Sequence, residues 1–371
     1  MMSKVHDIKV YLAATIAMLL ALFVSCNKVE YGYVDTGDDD SGNPSMSEVS
    51  FSFDWSKLDG NDLPNDLVVV MSRVVNTVHY VYDVDHEGLF KDQVKSSTDT
   101  IQNGDYYVLA LAQKVNKYKY ELDGVAEFED SLNISMKNLY ARIPQVPKDT
   151  LIEHRIVDFN PMYPIIYNAE PLYLEVKKQS IYPQKDANNV LLTPQLLTRN
   201  ITFRINVTAE EGVEVERLMA IMSGVPSEIQ LMSGVVSRYY TSKVYFEMTK
   251  QADLDGGHIY EGDINVLGLF PATKPGHITG PGILQIILDA TVQNKQNKNK
   301  RRFFASINLK ETIEAADLMI ETDDHLGFRS THDAVLDVPA TLIVTKDQIL
   351  SGGENGLEIW FDNEVDVDAE I

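Results

Sequence analysis

Val49-Ser50-Phe51-Ser52-Phe53-Asp54-Trp55 sets apolar and polar residues in strict alternation over seven positions. A period of two puts each set on its own face of an extended strand, so the run reads as a half-buried β-strand with an aromatic inner face. The pattern returns at Ile201, Phe203, Ile205 and Val207, set against Thr202, Arg204, Asn206 and Thr208. Two such openings, each followed by short apolar runs broken by turn residues, predict an all-β chain of two tandem β-sandwiches.

Working outward, Leu67 to Tyr82 is rich in Val and Tyr and is long enough for one strand or two. Asp99 to Ala112 reads as a hairpin turning at Asn103-Gly104, a favoured pair for a two-residue turn. Prolines at 144, 147, 161, 164 and 171 exclude long helices in that region. Gln179 to Arg199 is polar, holds Pro183 and Pro194, and reads as the join between the two halves. Beyond it, Val213–Val225, Ser237–Met248 and Ile264–Phe270 read as strands. Ile283–Val292 and Phe303–Leu309 read as a hairpin, and Glu311–Ile320 as a short helix. Thr341–Val344, Leu357–Phe361 and the alternation Val365, Val367, Ala369, Ile371 close the second sandwich.

The N-terminus carries a different signal. Lys4 and Lys9 precede fifteen residues, Val10 to Val24, that are apolar but for Tyr11 and Thr15, and these lead into Ser25 and Cys26. This is the basic, apolar, small-residue layout of an export signal. The apolar run falls short of the ~20 residues of a membrane-spanning helix. Cys26 is the single cysteine of the 371-residue chain, so no disulfide within the chain forms and the cores must supply the stability. Asn27 to Ser47, with Gly37-Asp-Asp-Asp-Ser-Gly-Asn-Pro-Ser45 at its centre, reads as a solvated spacer.

Composition narrows the function. The net charge is −23, and loss of Lys4, Asp7 and Lys9 with the signal makes it one unit more negative. Such a chain offers no broad basic face to nucleic acid. Neither G-x-S-x-G nor H-E-x-x-H is present. Asp83-Val-Asp85-His-Glu87-Gly88 begins like a calcium loop, but Val94 stands where the closing Glu belongs. Of the eight scattered histidines, His325 and His332 are the closest plausible ligand pair and read as ordinary loop residues. The sequence therefore predicts no enzyme, no metal site and no cofactor. The one basic cluster is Lys295, Lys298, Lys300, Arg301 and Arg302, which reads as a long hairpin tip and a contact for an acidic partner.

Four stretches carry a resemblance. Phe23-Val-Ser-Cys26 looks like a lipobox, with Phe where Leu is usual. The lipobox, acidic spacer and VSFSFDW (Val49–Trp55) resemble the start of fimbrillin-type anchor and minor-subunit lipoproteins of Gram-negative bacteria, the subunits of type V pili. GDYYVLALA (Gly104–Ala112), LMAIMSGVPSEIQLMSG (Leu218–Gly234) and INVLGLFP (Ile264–Pro271) resemble later segments of that family. The resemblance implies transthyretin-like sandwiches, with residues 1–25 as lipoprotein signal, 26–47 as flexible tether, 48–196 as the first domain and 197–371 as the second. It implies cleavage between Ser25 and Cys26, a covalent lipid on Cys26, and a place on the outer membrane facing the surroundings. Its partners would be other fimbrial subunits, joined by β-strand complementation, and a host protein or glycan, but no nucleic acid. Stalk subunits of the family are released by a cut after Arg or Lys near the first strand. Here no Arg or Lys lies between Lys28 and Lys57, which favours a chain that keeps its lipid as anchor, accessory or tip subunit. The competing expectation is a glycan-binding surface lipoprotein of a polysaccharide uptake system, stacking sugars on tyrosines such as Tyr239-Tyr240.

Overall fold

The computed structural model describes residues 45–56, 63–74, 79–83, 99–123, 138–157, 161–254, 257–294, 297–352 and 365–366. The signal, Cys26, the spacer up to residue 44, the calcium-like run after Asp83, Leu357–Phe361 and residues 367–371 lie outside them. The first half contains β1 (Met46–Phe53), β2 (Asp66–Arg73), β3 (His79–Asp83), β4 (Asp99–Gln102) and β5 (Gly104–Gln113). Shorter elements follow: β6 (Glu121–Asp123), β7 (Tyr140–Arg142), helix α1 (Lys148–Glu153) and β8 (Ile165–Ile166). Then come β9 (Leu172–Ile181), β10 (Asn188–Leu192) and β11 (Gln195–Leu196). The second half opens with β12 (Arg199–Ala209), β13 (Val213–Pro226), β14 (Glu228–Gln230), β15 (Thr241–Leu254) and β16 (Gly257–Val266). It continues with β17 (Ile283–Asn294), β18 (Asn297–Asn308), helix α2 (Lys310–Ala315), β19 (Met319–Glu321) and β20 (Phe328–Ser330). It ends with β21 (Ala334–Val344), β22 (Ile349–Gly352) and β23 (Val365–Asp366). The all-β expectation holds, and the two helices span six residues each.

The alternation that opened the sequence does what period two requires. Val49, Phe51, Phe53 and Trp55 are buried, with Phe53 stacked on Trp55 at 5.7 Å and Trp55 edge-on to Tyr173 at 6.1 Å. β1 begins at Met46, inside the stretch read as spacer. β1 pairs parallel with β10 and antiparallel with β4. A second sheet, in the order β11-β9-β5-β2-β3, faces it. β2 shows why a continuous apolar run was legible only as "strand". Its Leu67, Val69 and Met71 pack into the core shared with β1, while Val68 and Val70 pack into the core that runs on into the second half. Both faces of this strand are dry, so no polar residue marks an outside.

Two sequence expectations are corrected here. Asp99–Ala112 is not a hairpin: β4 joins the sheet of β1, and β5 lies between β2 and β9. A type I′ turn needs left-handed φ at both central residues. Only Gly104 of the pair has a positive φ, at 149°, and a Cβ there would stand 2.6 Å from Arg73 Nε. The chain therefore steps from one sheet to the facing one, and Ile101 and Tyr106 enter the same core from opposite sides. Gln179–Arg199 is not a polar linker either. It holds the end of β9 together with β10 and β11, and Asn188 Nδ2 donates to Glu48 O (3.1 Å) and to Tyr182 O (2.9 Å). Its polar residues serve the strand pairing of a sheet edge.

In the second half, β22-β21-β12-β16-β15 and β15-β13-β17-β18-β23 are joined through β15. Residues 241–248 of that strand pair with β13, and residues 249–254 pair with β16. Ile201, Phe203, Ile205 and Val207 of β12 are buried. Phe203 lies opposite Gly262 and packs on Phe246 at 5.3 Å, the rings covering a glycine that has no room for a Cβ. The predicted strands of this half that fall on described residues are present with shifted ends. β15 starts at Thr241 rather than Ser237, and β16 stops at Val266, after which Leu267, Leu269 and Phe270 stay buried outside the ladder. The halves are tied by β7 pairing with β14 and β8 with β15. One hydrophobic cluster takes in Val70, Leu111 and Leu172 together with Ile201, Phe203 and Leu284.

Candidate functional site

The basic cluster is the sequence-predicted site that the structure places most clearly. It is no hairpin tip: β17 and β18 stay paired from Ile283↔Asn308 to Asn294↔Asn297, so residues 297–302 are strand. Lys295 lies outside the described residues. Arg302 is buried and holds Asp289 with two bonds, Nε–Oδ1 at 2.6 Å and Nη2–Oδ2 at 2.8 Å, while its Nη1 donates to Arg155 O at 3.0 Å. This fork is the bidentate geometry of a strong charge-assisted pair. Arg301 reaches Lys346 O at 2.8 Å and Asp347 at 3.3 Å. Lys300 lies 3.5 Å from Glu216. Lys298 is exposed and forms no ion pair with the described residues. Three of these cations therefore stitch β18 to β17, β13 and the loop after β21. Lys298 remains presented outward.

The same strand is next to last in its sheet, with the two-residue β23 beyond it among the described residues. β18 is twelve residues long, yet beyond β17 it pairs only at Arg301↔Asp366 and Arg302↔Val365 among the described residues. An outer side of that length presents backbone donors and acceptors to an added strand. The β3 margin of the first-half sheet is five residues, and β22 is four.

A second feature is a cleft of about 590 Å³ between the Asn116–Lys117 bend, the Tyr167–Glu170 segment and the outer residues of β13, β15 and β16. A hydrogen-bonded knot adjoins it and shares Asn116, Lys117, Asn168 and Glu170 with its lining. Tyr118 Oη donates to Asn168 O (3.0 Å) and accepts from Glu170 N (2.9 Å), and Tyr120 Oη donates to Glu170 O (2.7 Å). The Glu170 carboxylate accepts from Asn116 Nδ2 (2.9 Å) and Lys117 N (3.2 Å). Tyr167 stacks on Tyr118 at 5.2 Å. Burial pushes both Tyr118 and Tyr120 well above the usual tyrosine range, with the charge of Glu170 adding in the same direction. Burial, then Tyr167 and Glu247, also raises Tyr245 on the cleft wall. These hydroxyls are held as neutral donors and acceptors. The Tyr118-x-Tyr120 alternation was visible in the sequence, but its partners lie about fifty residues on and carry no local signal.

The remaining expectations fall as follows. Trp55 is core, as its phase implied, and Trp360 lies outside the described residues. Tyr239 and Tyr240 are 93% and 59% exposed in the turn before β15. His325 pairs with Glu321 at 3.0 Å and His332 with the Thr331 hydroxyl at 2.8 Å, so the two imidazoles have separate partners. No helix among the described residues is long and apolar enough to cross a membrane.

No family model and no curated protein matches the chain. Solved structures do. A Bacteroides ovatus protein described as an adhesin candidate is 12% identical, with 79% of this chain and 93% of that chain covered and a TM-score of 0.47. The fimbrial anchor protein Mfa2 from Porphyromonas gingivalis is 10% identical, with 86% and 98% covered and a TM-score of 0.37. A fimbrial assembly protein from Parabacteroides distasonis is 8% identical, with 86% and 100% covered and a TM-score of 0.30. These are likenesses, and the functional reading of this chain rests on its own residues.

Proposed function

We propose that this chain is a surface-anchored fimbrial subunit: an anchor, accessory or tip component without catalysis that adheres and assembles through its sheet margins. The outer side of β18, paired at two positions among the described residues, carries the reading, because strand addition needs an extended run of open backbone groups. Lys298, presented outward from that strand, is suited to an acidic neighbour. In this proposal Cys26 carries the lipid, and the acidic spacer sets the body off the outer membrane. Each buried lipid methylene contributes about 0.8 kcal/mol, so two or more acyl chains hold the protein in place. The test is mass spectrometry of filaments sheared from native cells, comparing wild type with Cys26→Ala. An anchor stays with the wild-type membrane fraction, and its variant releases filaments to the medium. A chain absent from every filament, whose loss leaves filaments unchanged, sinks the proposal.

A second reading, capture of glycans as a surface lipoprotein of an uptake system, is favoured by the tyrosine-lined cleft and by exposed Tyr239-Tyr240. Binding to a polysaccharide panel, lost in Tyr239→Ala/Tyr240→Ala or in Tyr245→Ala, separates it from the first.

A further inference from the structure

A smaller recess, separate from the tyrosine cleft, lies where β9 and β11 meet β20 and the turn after β14, with a volume of about 360 Å³. Its wall is mixed, with Leu174, Leu197, Ile229, Met232, Leu267 and Phe328 among its apolar members. Its charged residues are Arg199 and Arg329, and no carboxylate lines it. That runs against the chain as a whole, which has 55 Asp and Glu to 32 Lys and Arg. Asp324 lies near enough to feel the charge of Arg329, but it is outside the lining and fully exposed.

The two guanidiniums are only partly used by the protein. Arg199 Nη1 donates to Leu196 O (3.1 Å) and Thr198 O (3.2 Å), while its Nε is buried with no hydrogen-bond partner. That Nε is out of a ligand's reach, but Nη2 makes no bond among the described residues and is the donor an anion would meet. Arg329 Nη2 donates to Ser233 O (2.7 Å), and the rest of the group is exposed. Planar guanidiniums match carboxylates through paired N–H donors. The volume is at the small end of ligand pockets, which run from roughly 300 to 1,000 Å³.

From this geometry we infer that the recess binds a small amphipathic carboxylate, a medium-chain fatty acid. The acid group sits toward Arg199 and Arg329, and the acyl chain lies against Leu174, Ile229, Met232 and Phe328. The site is separate from β18 and from the tyrosine cleft.

The test is calorimetric titration of the purified chain with decanoate below its micelle concentration, alongside decanol as the uncharged match. Saturable decanoate binding is expected, with decanol about tenfold weaker or worse, since a hydrogen bond to a charged group is worth at least that factor. Arg329→Gln should weaken decanoate about tenfold and leave the melting temperature unchanged, because that side chain is exposed. Arg199→Gln should do the same where it folds. Ser330→Trp, which fills the recess and keeps both arginines, should abolish binding. Equal affinity for decanol, no decanoate binding, or binding that survives Ser330→Trp would each overturn the inference. So would a peptide ending in Leu-Ile with a free carboxylate that binds where decanoate does not.

Discussion

β1 and β12 read almost alike, and the structure builds them alike up to a point. Each has one parallel neighbour, β10 or β21, and one antiparallel neighbour, β4 or β16. β12 turns four apolar residues into a core, and β1 turns three, with Trp55 two residues past its end adding a fourth. They differ on the other face. On β12, Arg204 and Asn206 are exposed, Thr202 bonds Asp263 at 2.5 Å, and Arg204 pairs with Glu261. On β1, Ser50 and Ser52 are buried, with side chains bonded to Asn189 at 3.4 and 3.1 Å. A polar residue at alternate positions thus has two origins: solvent in one strand, a small hydrogen-bonded contact in the other. Period two tells which residues share a face, and not what covers that face.

The largest expected effects test the likeness. Phe51→Ala and Phe203→Ala each remove a buried ring and should cost about 3–5 kcal/mol in urea unfolding. A loss under ~1 kcal/mol at either one would show that the two openings are not equivalent. Charges in the second half give a contrast of similar size. Arg302→Ala strands Asp289 with little solvent and should cost about 3–5 kcal/mol. Lys298→Ala should stay within about 0.5 kcal/mol. Equal effects at those two positions would restore the loop-tip reading of the cluster.

A smaller effect probes the difference between the outer faces. Ser50→Glu places a charge in a buried position and should destabilise by about 2–3 kcal/mol. Asn206→Glu, at an exposed position in the same alternation, should change stability by less than ~0.5 kcal/mol. Similar values for both would erase the distinction. The smallest effect lies where the first half meets the second. Tyr118 and Tyr120 have raised folded-state pKa values. Their contribution is complete below the unfolded tyrosine value of about 10, and it is lost as pH rises from there toward the folded value. Unfolding followed against pH should show stability falling above pH ~10. Tyr118→Phe should shallow that fall at a cost near neutrality of ~1 kcal/mol. An unchanged alkaline slope in that variant would mean that the knot does not couple to folding.

Much of the candidate site was beyond local reading. The five basic residues were conspicuous, but Asp289, Arg155 O and Asp347, which occupy Arg302 and Arg301, lie 13, 147 and 46 residues away. The Asn103-Gly104 pair looked like a hairpin because turn chemistry is local. Whether the next strand folds back or crosses to the facing sheet depends on which partners wait there, and β5 finds β2 and β9. The polar run Gln179–Arg199 resembled a linker because Asn188 and Asn189 spend their side chains on β1, about 140 positions earlier.

By itself, the sequence determined the strand class and the inner face of β1 and β12, since alternation is a property of the extended backbone. It determined the shortness of α1 through its prolines, and the absence of a disulfide within the chain through a single cysteine, but not the end of α2, which stops at Ala315 where the sequence reading ran to Ile320. Only the tertiary structure decided the rest. It brought β10 beside β1 and β21 beside β12, placed β2 between two cores, and committed three basic side chains to carboxylates within the chain. It also set Arg199 and Arg329 on one recess without an acid in its wall. These depend on contacts between residues far apart in the chain, where side-chain type constrains what is compatible and packing selects which partners meet.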